Sequence, residues 1–289
     1  MLTKNQLMEM LRMSRSPLRR TKIVATVGPA SSSESRLDAL IRAGVNVFRL
    51  NFSHGNADTH RQTAQTIRHC AEQCGEHVAI LADLQGPKIR IGSFPGGPIL
   101  LKAGQPFALD TALADDAGND QQVGVSYPPL PDDCQPGDVL LLNDGLLELK
   151  VTAINGTRVD CTVLVGGELS DHKGVNRKGG GLSARALTDK DLADIITAAD
   201  MDVDFLALSF PRDADDVEEA RLRYQQAGGQ GGIIAKIERA EAVADDATLD
   251  AIIEASDGVM VARGDLAVEI GDAELVGVQK HIIRRARAL

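Results

Sequence analysis

Apolar positions along the chain fall into short runs that alternate with longer segments of helical period. Before residue 88, the short runs predict strands at 22–27, 45–50 and 77–83. The segments between them predict a helix that starts at a serine cap within 31–33 and ends at Gly44, and a second helix over 57–74. Strands that alternate with helices in this way indicate parallel βα units.

The alternation stops between residues 88 and 186, where glycine and proline are frequent and the apolar runs are short. Turn signals such as Asn155-Gly156 join several of these runs, which is typical of antiparallel strands. The runs predict strands at 99–101, 106–109, 139–142, 146–154 and 158–165. After them the βα pattern returns, with strands at 204–209, 232–237 and 258–261 and helices at 189–199, 214–227, 249–255 and from 274 onward.

The fold class predicted from this pattern is α/β, a TIM (β/α)8-type barrel with a small inserted β domain. Only six βα units can be counted, so the chain is expected to be either a barrel truncated before its last two strands or an open sheet. The predicted organisation is an N-terminal helical arm at 1–20, barrel parts at 21–87 and 187–289, and the insert at 88–186.

Two of the predicted strands carry charged residues where a buried strand should be apolar. In the run 233–239, period-two alternation places Lys236 and Glu238 on the same face. The run 259–265 ends in Asp265. Because buried charges are costly unless they are paired or bind a ligand, this pattern indicates a divalent cation beside a phosphate. A purely structural lysine–glutamate pair is the alternative.

Other predicted strands also end in polar residues. In a parallel barrel the carboxyl ends of the strands meet on one face, which carries the chemistry. Carboxylates suit Mg²⁺, and the cationic side chains suit a phosphoryl group. The residues at these strand ends are Arg49, Asn51, Ser53, Asp83, Ser209, Phe210, Lys236, Glu238, Arg263, Gly264 and Asp265.

Composition narrows the function classes. With a net charge of −10 over 289 residues, the chain is a poor candidate for sequence-independent nucleic-acid binding. No apolar run reaches the roughly 20 residues of a membrane span, so no membrane association is expected. The four cysteines lack the spacing of a zinc site and are expected to be reduced thiols in a cytoplasmic protein.

Taken together, these stretches resemble the pyruvate kinase family, in its bacterial form with the motif Asp83-Leu84-Gln85-Gly86-Pro87-Lys88. The resemblance extends from about residue 18 to the last residue. It is carried in order by residues 21–30, 49–55, 83–90, 173–176, 235–238 and 260–266.

The resemblance implies the glycolytic transfer of a phosphoryl group from phosphoenolpyruvate to ADP, giving pyruvate and ATP. In that interpretation Lys236 and Arg49 contact the phosphoryl group, and Glu238 and Asp265 hold Mg²⁺ or Mn²⁺. The backbone amides of Gly264 and Asp265 take the substrate carboxylate, and Ser209 is counted with the substrate-binding residues.

The resemblance also implies a nucleotide site at Asn51, His54, Arg90 and Lys173, and a potassium site at Asn51, Ser53, Asp83 and Leu84. Lys173 lies in the insert, which is expected to act as a lid over the site. Many family members have glutamate where this chain has Lys88, and the glutamate form is associated with a potassium requirement. Since the Lys88 ammonium can supply the missing positive charge, potassium is expected to be dispensable.

The same sequence leaves two alternative functions and the mode of assembly open. The family's last two barrel strands and C-terminal domain have no counterpart here, so the chain could be an inactive fragment that binds Mg²⁺ and anions. A Mg²⁺-dependent aldolase or lyase of pyruvate-type substrates would use a similar site. The family is commonly homotetrameric, but a truncated barrel could associate in another way.

Overall fold

The computed structural model describes residues 19–289, so the N-terminal arm predicted at 1–20 lies almost entirely outside the described residues. The chain divides into two compact units. The first comprises the residues up to Asn51 together with Gly55–Leu81, and the second comprises Phe52–His54 and Ala82–Leu289. Strand β3, Ala79–Asp83, begins in the first unit and ends in the second.

The first unit contains two βα steps. Strands β1 (Val24–Thr26) and β2 (Val47–Asn51) pair in parallel, with Thr26 opposite Arg49. Between them lies helix α1, Glu34–Arg42, and after β2 comes helix α2, Ala57–Cys74. The Asn56 side chain caps α2 by accepting a hydrogen bond from the Thr59 amide. Helix α2 therefore occupies the residues that the sequence predicts for it.

The insert of the second unit is an antiparallel β structure with its own core. Its sheet has the order β11-β7-β8-β9-β5-β6, and β4 pairs separately with β10. Fully buried leucines and valines such as Leu149 and Val159 fill the core. The elements are β4 (Ile99–Leu101), β5 (Pro106–Asp110), β6 (Gln122–Gly124), helix α3 (Leu130–Asp133), β7 (Val139–Leu142), β8 (Leu147–Asn155), β9 (Arg158–Val165), β10 (Gly167–Leu169) and β11 (Val175–Arg177).

The rest of the second unit returns to parallel strands separated by helices. Strand β13 lies between β12 and β14 in parallel register, with Leu208 opposite Ala235 and Lys236 opposite Met260. The elements are helix α4 (Asp189–Asp200), β12 (Phe205–Leu208), α5 (Ala214–Gln226), β13 (Gly232–Ile237), α6 (Asp246–Ala255), β14 (Gly258–Val261), α7 (Arg263–Ile270) and α8 (Asp272–Ala288).

Several short elements differ from the sequence prediction. The prediction did not include the strands β6, β10 and β11, which have only three residues each and are held by their partners in the sheet rather than by a local pattern. It also did not include helix α3, which is a single turn of four residues. Nor did it include α7 as an element, although it allowed for a helical turn beginning at Gly264, and it placed the start of the last helix at 274 rather than 272. The domain boundaries near 20, 87 and 186 stay a prediction.

None of the helices within residues 19–289 is both long enough and apolar enough to cross a membrane.

Candidate active site

Lys236 lies at the carboxyl end of β13 with its ammonium group surrounded by oxygen atoms. Its Nζ donates to Oγ of Ser209 at 2.6 Å, to Oε1 of Glu238 at 2.9 Å and to Oδ1 of Asp83 at 3.1 Å. The Ser209 hydroxyl in turn donates to the Leu84 carbonyl at 2.7 Å. Because an ammonium group has three protons, these three acceptors fix the direction of the lysine side chain.

Charge and burial act against each other in this cluster. Burial alone would lower the pKa of Lys236, but the negative charges of Glu238 and Asp83 outweigh it and raise that pKa. Burial, with repulsion from Asp265, raises the pKa of Glu238 to about 7 against the attraction of Lys236. A further cation beside Glu238 would favour its ionised form against the effect of burial.

The donor set fits Mg²⁺. Glu238 is buried and also accepts a hydrogen bond from the Phe210 amide at 2.8 Å, which fixes its carboxylate beside Lys236. Asp265 is close enough to raise the pKa of Glu238. Among residues 19–289 no three His, Cys, Asp or Glu side chains form a complete metal site. Mg²⁺ commonly takes only one or two carboxylates and completes its octahedron with substrate oxygens and water.

A cavity of about 390 Å³ opens beside this cluster. Its wall includes two of the predicted nucleotide contacts, Arg90 and Lys173, as well as Asp265 and Phe210. Arg90 is oriented by the carbonyl of His172, to which its Nη1 donates at 3.2 Å. The cations that line the cavity are Lys88, Arg90, Lys173 and Arg239, together with His172, and the carboxylates that line it are Asp144, Asp171, Asp265 and Glu269. Of the cations, Lys88 and Arg90 are exposed and can meet the negative charge of a phosphate chain, whereas Arg239 is buried.

Helix α7 brings two predicted residues to the site. It begins at Arg263, so Gly264 and Asp265 lie in its first turn, where backbone amides have no acceptor within the helix. Ala262, the residue before the helix, provides no side-chain cap. A Cβ atom at Gly264 would meet no atom within 4 Å, so this part of the backbone is open to a ligand. The first turn of α7 can therefore accept an anion.

The remaining predicted residues lie at the ends of β2 and β3. In the first unit, Arg49 is half-buried, and its Nη1 donates to Oγ1 of Thr26 at 2.9 Å; Asn51 ends β2. In the second unit, Ser53 is half-buried, His54 is exposed and Leu84 is buried.

The sequence prediction missed one buried acid that supports the site. Asp191 is fully buried in the first turn of α4, and its Oδ1 accepts from the Gly86 amide at 3.0 Å. Its Oδ2 accepts from the amide of Thr188 at 2.9 Å and from its hydroxyl at 2.6 Å, which completes a capping box. Asp191 thus holds the turn between Asp83 and Lys88. The aspartate three residues after Thr188 was the available sequence signal.

Comparison with known proteins decides the family. Residues 18–289 match the family described as "Pyruvate kinase, barrel domain". The chain belongs to the pyruvate kinase family. It is 56% identical to a pyruvate kinase of Haemophilus influenzae and 55% identical to pyruvate kinase II of Salmonella typhimurium, in each case over 94% of this chain and 57% of the relative.

A solved structure agrees with the family match. The crystal structure of a pyruvate kinase from Cryptosporidium parvum superposes with a TM-score of 0.85 at 36% identity, covering 99% of this chain and 57% of that one. The predicted fold class, a TIM-type barrel with an inserted β domain, is confirmed by this match. This chain spans little more than half the length of these pyruvate kinases.

Proposed function

We propose that this chain carries the phosphoryl-transfer site of a pyruvate kinase, which transfers the phosphoryl group of phosphoenolpyruvate to ADP and gives pyruvate and ATP. The observation that supports this most directly is Lys236, a buried ammonium held by Ser209, Asp83 and Glu238 at a strand end. The named relatives are pyruvate kinases, which favours this reaction over an aldolase or lyase.

Lys236 would stabilise the negative charge that develops on the transferred phosphoryl group. Its ammonium is held at the strand end by three acceptors, so its position is set before the substrate binds. A phosphoryl oxygen would take the place of one of those acceptors. Arg49 would contact the same phosphoryl group, and the first-turn amides of α7 at Gly264 and Asp265 would hold the substrate carboxylate.

Glu238 and Asp265 would hold Mg²⁺ or Mn²⁺. When bound, the cation stabilises negative charge on the substrate oxygens. Before it binds, burial and the charge of Asp265 raise the pKa of Glu238, and a bound cation would favour the ionised carboxylate. The nucleotide would occupy the cavity beside the pair, contacted by Arg90 and Lys173, with Asn51 and His54 as the further predicted contacts.

Potassium would be dispensable. The predicted potassium ligands are Asn51, Ser53, Asp83 and Leu84. Lys88 is exposed and lines the cavity together with Asp265. Its ammonium could therefore supply, to a phosphate ligand in the cavity, the positive charge that potassium would otherwise provide. We assign the protein to the cytoplasm, and we expect it to associate with copies of itself, as the family commonly does.

The reaction can be tested by coupling pyruvate formation to lactate dehydrogenase. We expect Lys236→Met to lower kcat about 10²- to 10³-fold, because it removes a preorganised donor to the developing charge. Lys102→Met is the matched control, since Lys102 is exposed in the insert, and it should leave kcat unchanged. Binding of phosphoenolpyruvate and Mg²⁺ without pyruvate formation would favour the inactive-fragment alternative. Absence of both would contradict the proposed site.

A further inference from the structure

Arg239, the residue after the proposed metal ligand Glu238, is a buried cation that the reaction does not use. It is only 4% exposed. Its Nη2 donates to the Leu182 carbonyl at 2.5 Å and to Oε1 of Glu241 at 3.0 Å, and its Nη1 donates to the Ala184 carbonyl at 3.4 Å. A buried guanidinium is costly to desolvate, and its hydrogen bonds to these two backbone carbonyls and to Glu241 offset part of that cost.

Both carbonyls belong to the exit linker, residues 178–187, which leads from the insert back to α4. The linker contains three consecutive glycines, 179–181, with φ between 80° and 95°, so side chains would strain it. A further bond holds the linker to residues 239–241, since the Gly181 amide donates to Oε1 of Glu241 at 2.5 Å. Arg239 and Glu241 therefore anchor the linker next to Glu238.

Glu269 anchors the insert from the other side. It is buried in α7, one helical turn after Asp265. Its Oε2 accepts from the Ala240 amide at 2.7 Å, its Oε1 accepts from Nδ2 of Asn176 in β11 at 3.4 Å, and its carbonyl accepts from the Gly179 amide at 3.0 Å. Burial raises the pKa of Glu269, and the hydrogen bond from the Ala240 amide and the positive charge of Arg239 offset part of this effect. Glu269 thus links the insert, the end of β13 and α7.

The two segments that carry Glu238 and Asp265 are therefore the same two segments that hold the exit linker. We propose that Arg239, Glu241 and Glu269 form a latch that holds the exit linker of the insert against the end of β13 and α7 and, through the Ala240 amide, sets the position of the Glu238 segment against that of Asp265. Arg239 is a positioning residue in this arrangement. Only the assignment of a metal to Glu238 and Asp265 rests on the proposed function.

Hydrogen exchange tests the latch without any ligand. In the 289-residue chain, Arg239→Gln should speed exchange of the Gly181 and Ala240 amides about tenfold or more, because both lose the packing and charge that hold their acceptors. Arg239→Lys should restore part of the protection at Ala240, since it keeps the charge but cannot reach both linker carbonyls. Arg185→Gln is the control: Arg185 lies in the same linker, but its side chain is 75% exposed and it pairs with Glu219 on α5.

Glu241→Ala supplies a second route that leaves Arg239 in place, and it keeps the test decisive if Arg239→Gln does not fold. It should speed exchange at Gly181 directly and at Ala240 through the linker. Unchanged exchange at Gly181 in folded Arg239→Gln or Glu241→Ala protein would overturn the latch. Faster exchange at Gly181 with unchanged Ala240 would overturn the coupling between the linker and the metal-ligand segments.

An experiment with Mn²⁺ distinguishes a failure of the latch from a failure of the proposed metal site. In the original chain, saturating Mn²⁺ should slow exchange of the linker amides about threefold or more, and this protection should be lost in Arg239→Gln. If Mn²⁺ does not bind to the original chain, the metal site is wrong, whereas the exchange results still decide the latch. If Mn²⁺ protects the linker equally in both proteins, Arg239 does not couple the two.

Discussion

The Nζ atom of Lys236 lies 3.1 Å from Oδ1 of Asp83, although the whole β insert separates the two residues in the chain. Asp83 ends β3 and is 1% exposed, so this carboxylate has little contact with solvent. The contact connects the last strand before the insert with the central strand after it, and it orients the ammonium group that we assign to phosphoryl transfer.

Asp83→Asn should lower kcat about 10- to 100-fold, because a side chain that orients an active-site group typically contributes this much. The lactate-dehydrogenase-coupled assay measures the effect. Asp132→Asn, at an exposed position in the insert, is the control and should not change the rate. A normal rate in Asp83→Asn protein that retains its fold would show that Ser209 and Glu238 alone suffice to orient Lys236.

Lys88→Glu should create a requirement for potassium. The substitution replaces a positive charge at the cavity with a negative one, so a monovalent cation is needed to restore the charge balance. We expect pyruvate formation without added potassium in the original chain and a marked stimulation by potassium in the variant, measured in tetramethylammonium and potassium salts at equal ionic strength. A strict potassium requirement before substitution would refute the role given to Lys88.

The packing of the insert predicts that alanine substitutions at two leucines lower the free energy of unfolding by different amounts. Leu149 in β8 is fully buried and Leu100 in β4 is 65% exposed. Leu149→Ala should lower the free energy of unfolding by about 2–5 kcal/mol, since it leaves a cavity, whereas Leu100→Ala should cost less than about 0.5 kcal/mol. Urea unfolding followed by circular dichroism measures both. Equal effects would contradict a packed core in the insert.

The ion pair between Asp138 and Arg177 predicts a pH dependence of stability. Burial alone would raise the pKa of Asp138, but the hydrogen bond from Arg177 at 2.9 Å and its charge lower it below the ordinary 3.8. A lowered carboxyl pKa stabilises the folded state above the ordinary value, and this contribution is lost as the pH falls below 3.8. Asp138→Asn should therefore cost about 1–3 kcal/mol at pH 7 and progressively less below 3.8.

Urea midpoints of the original chain and Asp138→Asn, compared from pH 7 to pH 3, test this dependence. Asp58→Asn is the matched control, because Asp58 forms an ion pair with Arg61 but its side chain is 96% exposed. Its effect should be small at every pH. A difference between Asp138→Asn and the original chain that stays constant down to pH 3 would rule out the proposed contribution of the pair.

The sequence predicts the long, locally determined elements well. The bounds of β13 and β14 coincide with the predicted 232–237 and 258–261, because each is a compact apolar run between glycines or polar residues. The placement of Lys236 and Glu238 on one face follows from strand period alone, and the structure brings their charged groups to 2.9 Å. These features are determined by residues close together in the chain, so they can be predicted from a single sequence.

Contacts between distant segments were not predictable in the same way. The bonds from Lys236 to Asp83 and from Arg239 to Leu182 join segments whose proximity depends on the tertiary fold. The strand β11 has only three residues and exists because it pairs with β7. Helix α7 contains Gly264 near its start and is followed by Gly271, and the sequence did not predict it as a helix.

Asp191 gives the insert a modular character. Gly86, just before the insert, and Thr188, just after it, both bond to this one carboxylate, so the chain leaves the parallel strands and rejoins them at the same place. A segment closed at its base in this way can vary in length or be exchanged for another without moving the strands on either side. For protein engineering, Gly86 and Thr188 are thus natural junctions at which to replace the insert by a different domain while keeping the parallel strands.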